Sequence, residues 1–238
     1  MRNEDSGHIN NLIALENDKV QEALNNYSGH LKVADGIINF LSREFLDTIR
    51  DENAIFMAFF TQISVDLELA MLSTLRRHDI QACLMLRHAL ESACLAAYAL
   101  FSKPVTNKDE AISEFGHPEN KSYEWIEKEF PKQSENIKKI KGKINENFAH
   151  ANITTSATNL IITDEKTTPT FFDSDGNATI PKRLYVISEI TWHVLDLLDQ
   201  AIKKANCGVV LKEGSVKRIN DFSEQMDKVF AEFITAKS

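Results

Sequence analysis

With 238 residues, 43% of them hydrophobic and 26% charged, the chain can bury a sizeable core and has the ordinary balance of a globular protein. Only 8 glycines and 5 prolines leave little material for the many turns of an all-β fold. A net charge of −8 excludes a broad basic surface built for nucleic acid, although it leaves room for a local basic patch.

Residues 1–30 are polar with scattered Leu and Val, and read as a marginal helix or an N-terminal arm ahead of one domain covering 31–238. The first residues lack the apolar core of a signal peptide, which sets the expectation of a cytoplasmic protein. Leu31, Ala34, Ile37, Ile38, Leu41, Phe45 and Ile49 then recur at three- and four-residue steps. That spacing predicts an amphipathic helix, slightly weakened at Gly36. A second helix over 53–77 is apolar nearly all round, and a third over 80–102 follows a short break at Arg77, His78 and Asp79. Helices apolar on most sides belong at the centre of a bundle, and the short connection makes these two antiparallel neighbours. The run from Ile80 to Phe101 is long enough to span a membrane. Arg87 and Glu91 at its centre favour a buried helix instead.

Further helices are expected over 118–129 and 134–149, the latter carrying Lys138, Lys139, Lys141 and Lys143 in the one strongly basic region. From Asn152 the character changes. Leu160, Ile161 and Ile162, then Thr170, Phe171 and Phe172, are short β-favouring runs, and 173–177 has turn composition. These features predict a β-ribbon insert near 157–180. Pro181 opens a long helix to about Asn206, and a last amphipathic helix runs over 216–235. No linker divides the chain. The fold expected is all-α, a bundle of about six to eight helices with one small ribbon. Cys83 and Cys94 lie about 16 Å apart on one helix at about 1.5 Å per residue, too far for a disulfide. Together with Cys207 they read as reduced thiols.

Polar groups inside an apolar helix cost free energy unless paired, which directs attention to Arg87, His88 and Glu91. Arg87 and Glu91, four apart, share a helix face. They make either a salt bridge, within the helix or with Asp66 or Glu68 across it, or a polar pocket. In a pocket, Arg87 would offer a planar, bidentate donor to a carboxylate or phosphate, and Glu91 would orient it or act as a base. His88 points about 100° away and reads first as a satisfied interface histidine. His150 closes the basic helix beside Asn152. A histidine there suits the helix dipole, and its ordinary pKa also suits a general base. Glu189, His193 and Asp196 share one face of the long late helix, where metal ligation is possible but a solvated face is the simpler reading. Asp173, Asp175 and Asn177 imitate a calcium loop, but Ala178 and Leu184 occupy the positions that need Gly and Glu. The phosphate-binding Gly-rich loop, the Gly-x-Ser-x-Gly elbow and paired zinc cysteines are all missing.

The run Leu86, Arg87, His88, Ala89, Leu90, Glu91, Ser92, with Leu75 to Ala82 before it and Phe148 to Asn152 after it, resembles a group of uncharacterised bacterial helical proteins. In that group a helix bearing Leu-Arg-x-x-x-Glu packs in a bundle, and a later helix ends in a histidine motif. The group is similar to the HEPN superfamily, the higher eukaryote and prokaryote nucleotide-binding domain, over roughly residues 54–152. The resemblance implies a compact, often dimeric helical bundle, serving as a ribonuclease in toxin–antitoxin or phage-defence systems or as an inactive binding or scaffold module. The family signature is Arg, four to six residues including a polar one, then His. His150 matches the histidine, but Asn145 stands five residues before it, and Lys143 is the nearest cation. A lysine cannot reproduce the two parallel bonds of a guanidinium to phosphate.

These readings give a HEPN-like, dimeric, defence- or stress-related protein that binds RNA or a nucleotide, with weak or no metal-independent ribonuclease activity. Catalytic roles fall to His150, Arg87 and Glu91, and binding contacts to Asn152, Asn145, Lys143 and His88. No metal, cofactor or membrane is expected. The alternative is a non-catalytic module that binds another protein. A metal-dependent bundle enzyme using Glu91, Glu189 and His193 stands further off.

Overall fold

Apolar spacing of three and four residues becomes helix almost wherever it occurs in this chain. The structure is a computed structural model and describes residues 8–102, 108–115, 119–147, 160–162, 166–172 and 179–235. It is an all-α bundle with a small β insert. The helices are α1 (His8–Asn26), α2 (Ser28–Asn39), α3 (Ala54–Leu75), α4 (Asp79–Ala99), α5 (Lys108–Phe115), α6 (Glu119–Glu129), α7 (Pro131–Asn147), α8 (Thr179–Ala205), α9 (Ser215–Val229) and α10 (Ala231–Thr235). The strands are β1 (Leu46–Thr48), β2 (Leu160–Ile162), β3 (Thr167–Pro169) and β4 (Val210–Leu211).

Several boundaries differ from the sequence expectation, each for a physical reason. Residues 8–26 are a full helix. Glu16 and Glu22 on α1 accept hydrogen bonds from His78 and Arg77 at the α3–α4 turn, both at 2.9 Å. The helix expected over 31–49 ends at Asn39, widens into a π-turn over Phe40–Glu44, and gives way to β1. β1 pairs antiparallel with β4, and between them Phe40, Leu41 and Phe45 enter the core. The ribbon is present, but its second strand is Thr167–Pro169 rather than 170–172. Ile162 pairs with Thr167 at the end of the ladder. The turn expected at 173–177 lies outside the described residues. Pro131 is the first residue of α7, where its missing N–H is not needed. The last helix is broken at Phe230, a fully buried ring. The expectation passed over α5 altogether.

α8 is the true axis of the bundle, packing on α2, α3, α4, α7 and α9. Its Ser188 and Thr191 are buried and bond back to the carbonyls of Leu184 and Ile187, each at 2.8 Å, so the polar atoms cost little there. α3 and α4 form the closest helix pair, an antiparallel hairpin. Contrary to the sequence reading, α3 is not central. Val65, Leu69 and Leu72, at helical spacing on one side of α3, leave about two-fifths of their surface exposed, as does Leu84 on α4. α3 is also the described helix long and apolar enough to cross a membrane, rather than the run 80–101.

The α3–α4 turn is tightly defined. Arg77 adopts φ +63°, the left-handed conformation usual for glycine. His78 N–H bonds to Ser73 O at 2.8 Å, and Arg77 N–H to Thr74 O at 3.0 Å, completing a Schellman motif. A left-handed non-glycine costs about 1 kcal/mol. The Arg77–Glu22 bond at 2.9 Å helps offset it. His78 packs against Phe171 and Phe172, which tie the ribbon's end to this corner. Arg183 on α8 bonds buried Asp79 in the first turn of α4 at 3.0 Å, fixing α8 against the hairpin.

Gly36 lies inside α2, where an added Cβ would meet only Phe222 Cε1, at an ordinary 3.5 Å. Gly36→Ala is therefore expected to stabilise the fold by about 0.5–1 kcal/mol through reduced unfolded-state entropy. A rise in the urea midpoint would show it; a fall would mean that α2 and α9 leave no room for a methyl group.

Candidate functional site

The site begins with a carboxylate that the sequence places on an apolar helix. Asp66, midway along α3, is 2% exposed. Such a group must be paired or hydrogen-bonded to persist there. His88 Nδ1–H on α4 donates to Asp66 Oδ2 at 2.8 Å, and Gln62 Nε2–H, one turn earlier on α3, donates to Oδ1 at 3.0 Å. A carboxylate only accepts, so His88 carries its proton on Nδ1. The His88 side chain is itself 52% exposed. Its ring is thus held at one edge by a buried anion and open to a cleft at the other.

That cleft has a volume of about 430 Å³. α3 contributes Ala58, Phe59 and Gln62, and α4 contributes His88, Glu91, Ser92 and Leu95. Phe115 of α5 and Ser122 and Tyr123 of α6 line the remaining side. α5 is set there by two contacts. Phe115 packs on Phe59 and Tyr98, and Glu114 accepts the Tyr98 hydroxyl at 2.6 Å and Lys121 at 3.1 Å. The bond to Glu114 pushes the Tyr98 hydroxyl up to about 12.

A second polar group meets the cleft at Glu91, one turn beyond His88. Arg87 Nε–H donates to Glu91 Oε1 at 3.0 Å, and Lys141 Nζ of α7 reaches the same carboxylate at 2.9 Å. Lys141 also donates to the Tyr123 hydroxyl and sits 4.2 Å above that ring's centroid. Burial pushes Glu91 up, but the hydrogen bonds and charges of Lys141 and Arg87 outweigh it and hold the carboxyl below its usual range. Cys94 lies behind this group. Its burial raises the thiol to about 12, which leaves it unreactive.

The structure therefore brings Arg87, Glu91 and His88 to one region, with Arg87 in the intrahelical pair and not on the cleft wall. Asp66 partners His88 rather than Arg87. His88 is a satisfied interface histidine, bonded across to Asp66 of α3, and its half-exposed side chain also lines the cleft. Lys143 is exposed on α7, and Asn145 carries a buried Oδ1 with no hydrogen-bond partner among the described residues. His150 and Asn152 lie outside the described residues. Glu189 accepts from the Tyr185 hydroxyl at 3.3 Å, and Asp196 is bonded by Gln133 and Gln200, so that face is engaged rather than solvated. Among the described residues no group of three His, Cys, Asp or Glu side chains is placed to hold a metal, so Glu91, Glu189 and His193 are not assembled into a centre. Sequence reasoning missed Tyr123, Lys141, Phe59 and Phe115. Only Lys141 had a signal, as one member of the basic run. Comparison with protein-family models, with curated proteins and with solved structures finds nothing that matches this chain.

Glu91 gives a pH-dependent contribution to stability. Its folded carboxyl ionises below the unfolded one, so the contribution is present above the ordinary value of 4.5 and drains away as pH falls through the lowered value. Glu91→Gln is expected to cost about 1 kcal/mol at neutral pH, because two part-buried cations lose their anion. In strong acid the variant and wild type should unfold alike. Urea unfolding at both pH values measures the difference, and an equal gap at each would remove Glu91 ionisation as its cause.

Proposed function

We propose that the cleft binds RNA or a nucleotide, in keeping with a HEPN-like role in a bacterial defence or stress system. One observation carries the reading: aromatic side chains and ionic groups line the same cleft. Phe59, Phe115 and Tyr123 offer π-faces for a base, while the half-exposed His88 stands on the cleft wall where a phosphate oxygen can be met, and Lys141 backs Tyr123 and Glu91 from α7. A cleft of about 430 Å³ matches the size of small-ligand sites and admits one nucleotide unit. The electrostatics limit the affinity. Lys141 and Arg87 share Glu91, Lys138 pairs with Glu127 at 2.7 Å, and Lys121 pairs with Glu114. Carboxylates thus engage the cations nearest the cleft, and the binding expected is modest and dominated by stacking.

Fluorescence titration of labelled single-stranded RNA and of a mononucleotide tests this. Tyr123→Ala and Lys141→Ala should each weaken binding by about tenfold, equivalent to about 1.4 kcal/mol. Absence of binding by wild type, or unchanged affinity in both variants, overturns the reading. Incubation with mixed RNA, repeated with His150→Ala, tests the role that the resemblance gives that histidine. Cleavage unchanged by the substitution removes His150 from the mechanism.

A second reading, a module that pairs with another protein or with a second copy of itself, is favoured by the ridge of Val65, Leu69, Leu72 and Leu84. Contiguous apolar surface of this kind is uncommon on a monomer that needs no partner. Light scattering on concentrated protein should give a mass above one chain, and Leu69→Lys should return it to the monomer value. A monomeric wild type removes self-pairing.

A further inference from the structure

A second concavity, of about 400 Å³, opens at the α3–α4 turn, and no described residue lines both it and the aromatic cleft. Arg76 closes α3, Gln81 lies in the first turn of α4, and Glu16 comes from α1. Bonds from Arg77 to Glu22 and between His78 and Glu16 hold α1 against the turn. The polar groups that line this concavity are short of partners. Arg76 Nε stands 3.8 Å from Glu16 Oε2, beyond hydrogen-bond length, whereas the neighbouring Arg77–Glu22 pair closes to 2.9 Å. Among the described residues the Arg76 side chain makes no other polar contact, and it is 45% exposed. Glu16 gives Oε1 to His78 at 2.9 Å and leaves Oε2 with only the long contact to Arg76. The side-chain amide of Gln81 has no hydrogen bond among the described residues. Beside these groups the wall is apolar. Ile80, Leu84 and Phe171 form it, and the last two are 39% and 55% exposed.

We propose that this concavity binds a free hydrophobic α-amino acid, of the leucine or phenylalanine type. The chemistry of the rim selects for it. A cation and an anion stand side by side without bonding each other, next to an uncovered aliphatic and aromatic wall. A simple carboxylate or phosphate would meet Arg76 but press against Glu16, and a simple amine would do the reverse. A zwitterionic amino acid carries both charges on one carbon and satisfies both groups at once. Its carboxylate takes paired bonds from the Arg76 guanidinium, with the Gln81 amide as a further donor. Its ammonium donates to Glu16 Oε2, and its side chain lies on Ile80, Leu84 and Phe171. The volume is that of a small-ligand site. Bound there, the amino acid bridges α1 and the α3–α4 turn, so it also stabilises the folded chain. The inference is independent of the RNA reading.

The test is an NMR titration of the full chain, labelled with nitrogen-15, followed through the backbone amides. The probes are leucine, phenylalanine, glycine, 4-methylpentanoate, which lacks the ammonium, and 3-methylbutylamine, which lacks the carboxylate. Leucine or phenylalanine is expected to shift the amides of Glu16, Arg76 and Gln81 with a Kd of about 0.1–1 mM. Glycine and the two singly charged compounds should each bind at least about tenfold more weakly. Arg76→Gln, which leaves the His78–Glu16 bond in place, and Glu16→Gln should each weaken the leucine-type probe by about tenfold. If Glu16→Gln lowers the melting temperature by loosening α1, Arg76→Gln carries the test alone. No shift with leucine or phenylalanine overturns the proposal. Equal binding of 4-methylpentanoate reduces the site to an anion site and overturns it too. Equal binding of glycine removes the apolar wall, and unchanged affinity in Arg76→Gln removes the carboxylate contact; either result overturns the assignment.

Discussion

Polar side chains on the α3–α4 hairpin have to find partners on that hairpin or immediately beside it, and the site is the outcome of that constraint. Asp66 sits on a helix whose neighbours are Ile63, Leu67 and Ala70, all without exposure. Water cannot reach it, so its lone pairs must be met by protein donors. Gln62 meets it from within α3 and His88 from α4, and the His88 bond ties the register of one helix to the other. Arg87 and Glu91 solve the same problem one turn further along, with Lys141 of α7 as the third member. Each arrangement leaves one polar edge facing the cleft. The chemistry available there is a consequence of how α3 and α4 pack.

Within an acidic chain, part of the charge on the basic stretch of α7 is engaged locally. Lys141 serves Glu91 and Tyr123, and Lys138 serves Glu127. A row of lysines on a helix suggests a strong anion-binding face, but the field weakens where a cation has a carboxylate within 3 Å, as Lys138 and Lys141 do. What remains is a near-neutral cleft with aromatic walls, in which orientation of a few groups matters more than overall potential.

The hairpin carries a second concavity at its other end, of about 400 Å³, bordered by Glu16, Arg76, His78 and Phe171. Between the two lies the apolar ridge of Val65, Leu69, Leu72 and Leu84. The rest of the bundle builds a platform behind it. α8 takes the buried position that hydropathy alone assigns to α3, and it can do so because Ser188 and Thr191 satisfy their hydroxyls on the helix's own carbonyls.

Taken alone, the sequence determined the helical class, the positions of the main helices, the ribbon insert and the need of Arg87, His88 and Glu91 for polar partners. These are legible because helix periodicity and the cost of burying charge are local properties, written within one or two turns of chain. The β1–β4 pairing joins segments about 160 residues apart, through runs of two or three residues too short to carry a period of their own. The α3 ridge was hidden because an apolar surface looks the same in sequence whether or not something covers it. Only tertiary structure decided that Asp66 belongs to His88, that Lys141 and Tyr123 complete the group at Glu91, and that α8 rather than α3 forms the axis. Partner choice among distant polar residues depends on helix rotation and register, which are set by the packing of whole helices and not by the residues that end up in contact.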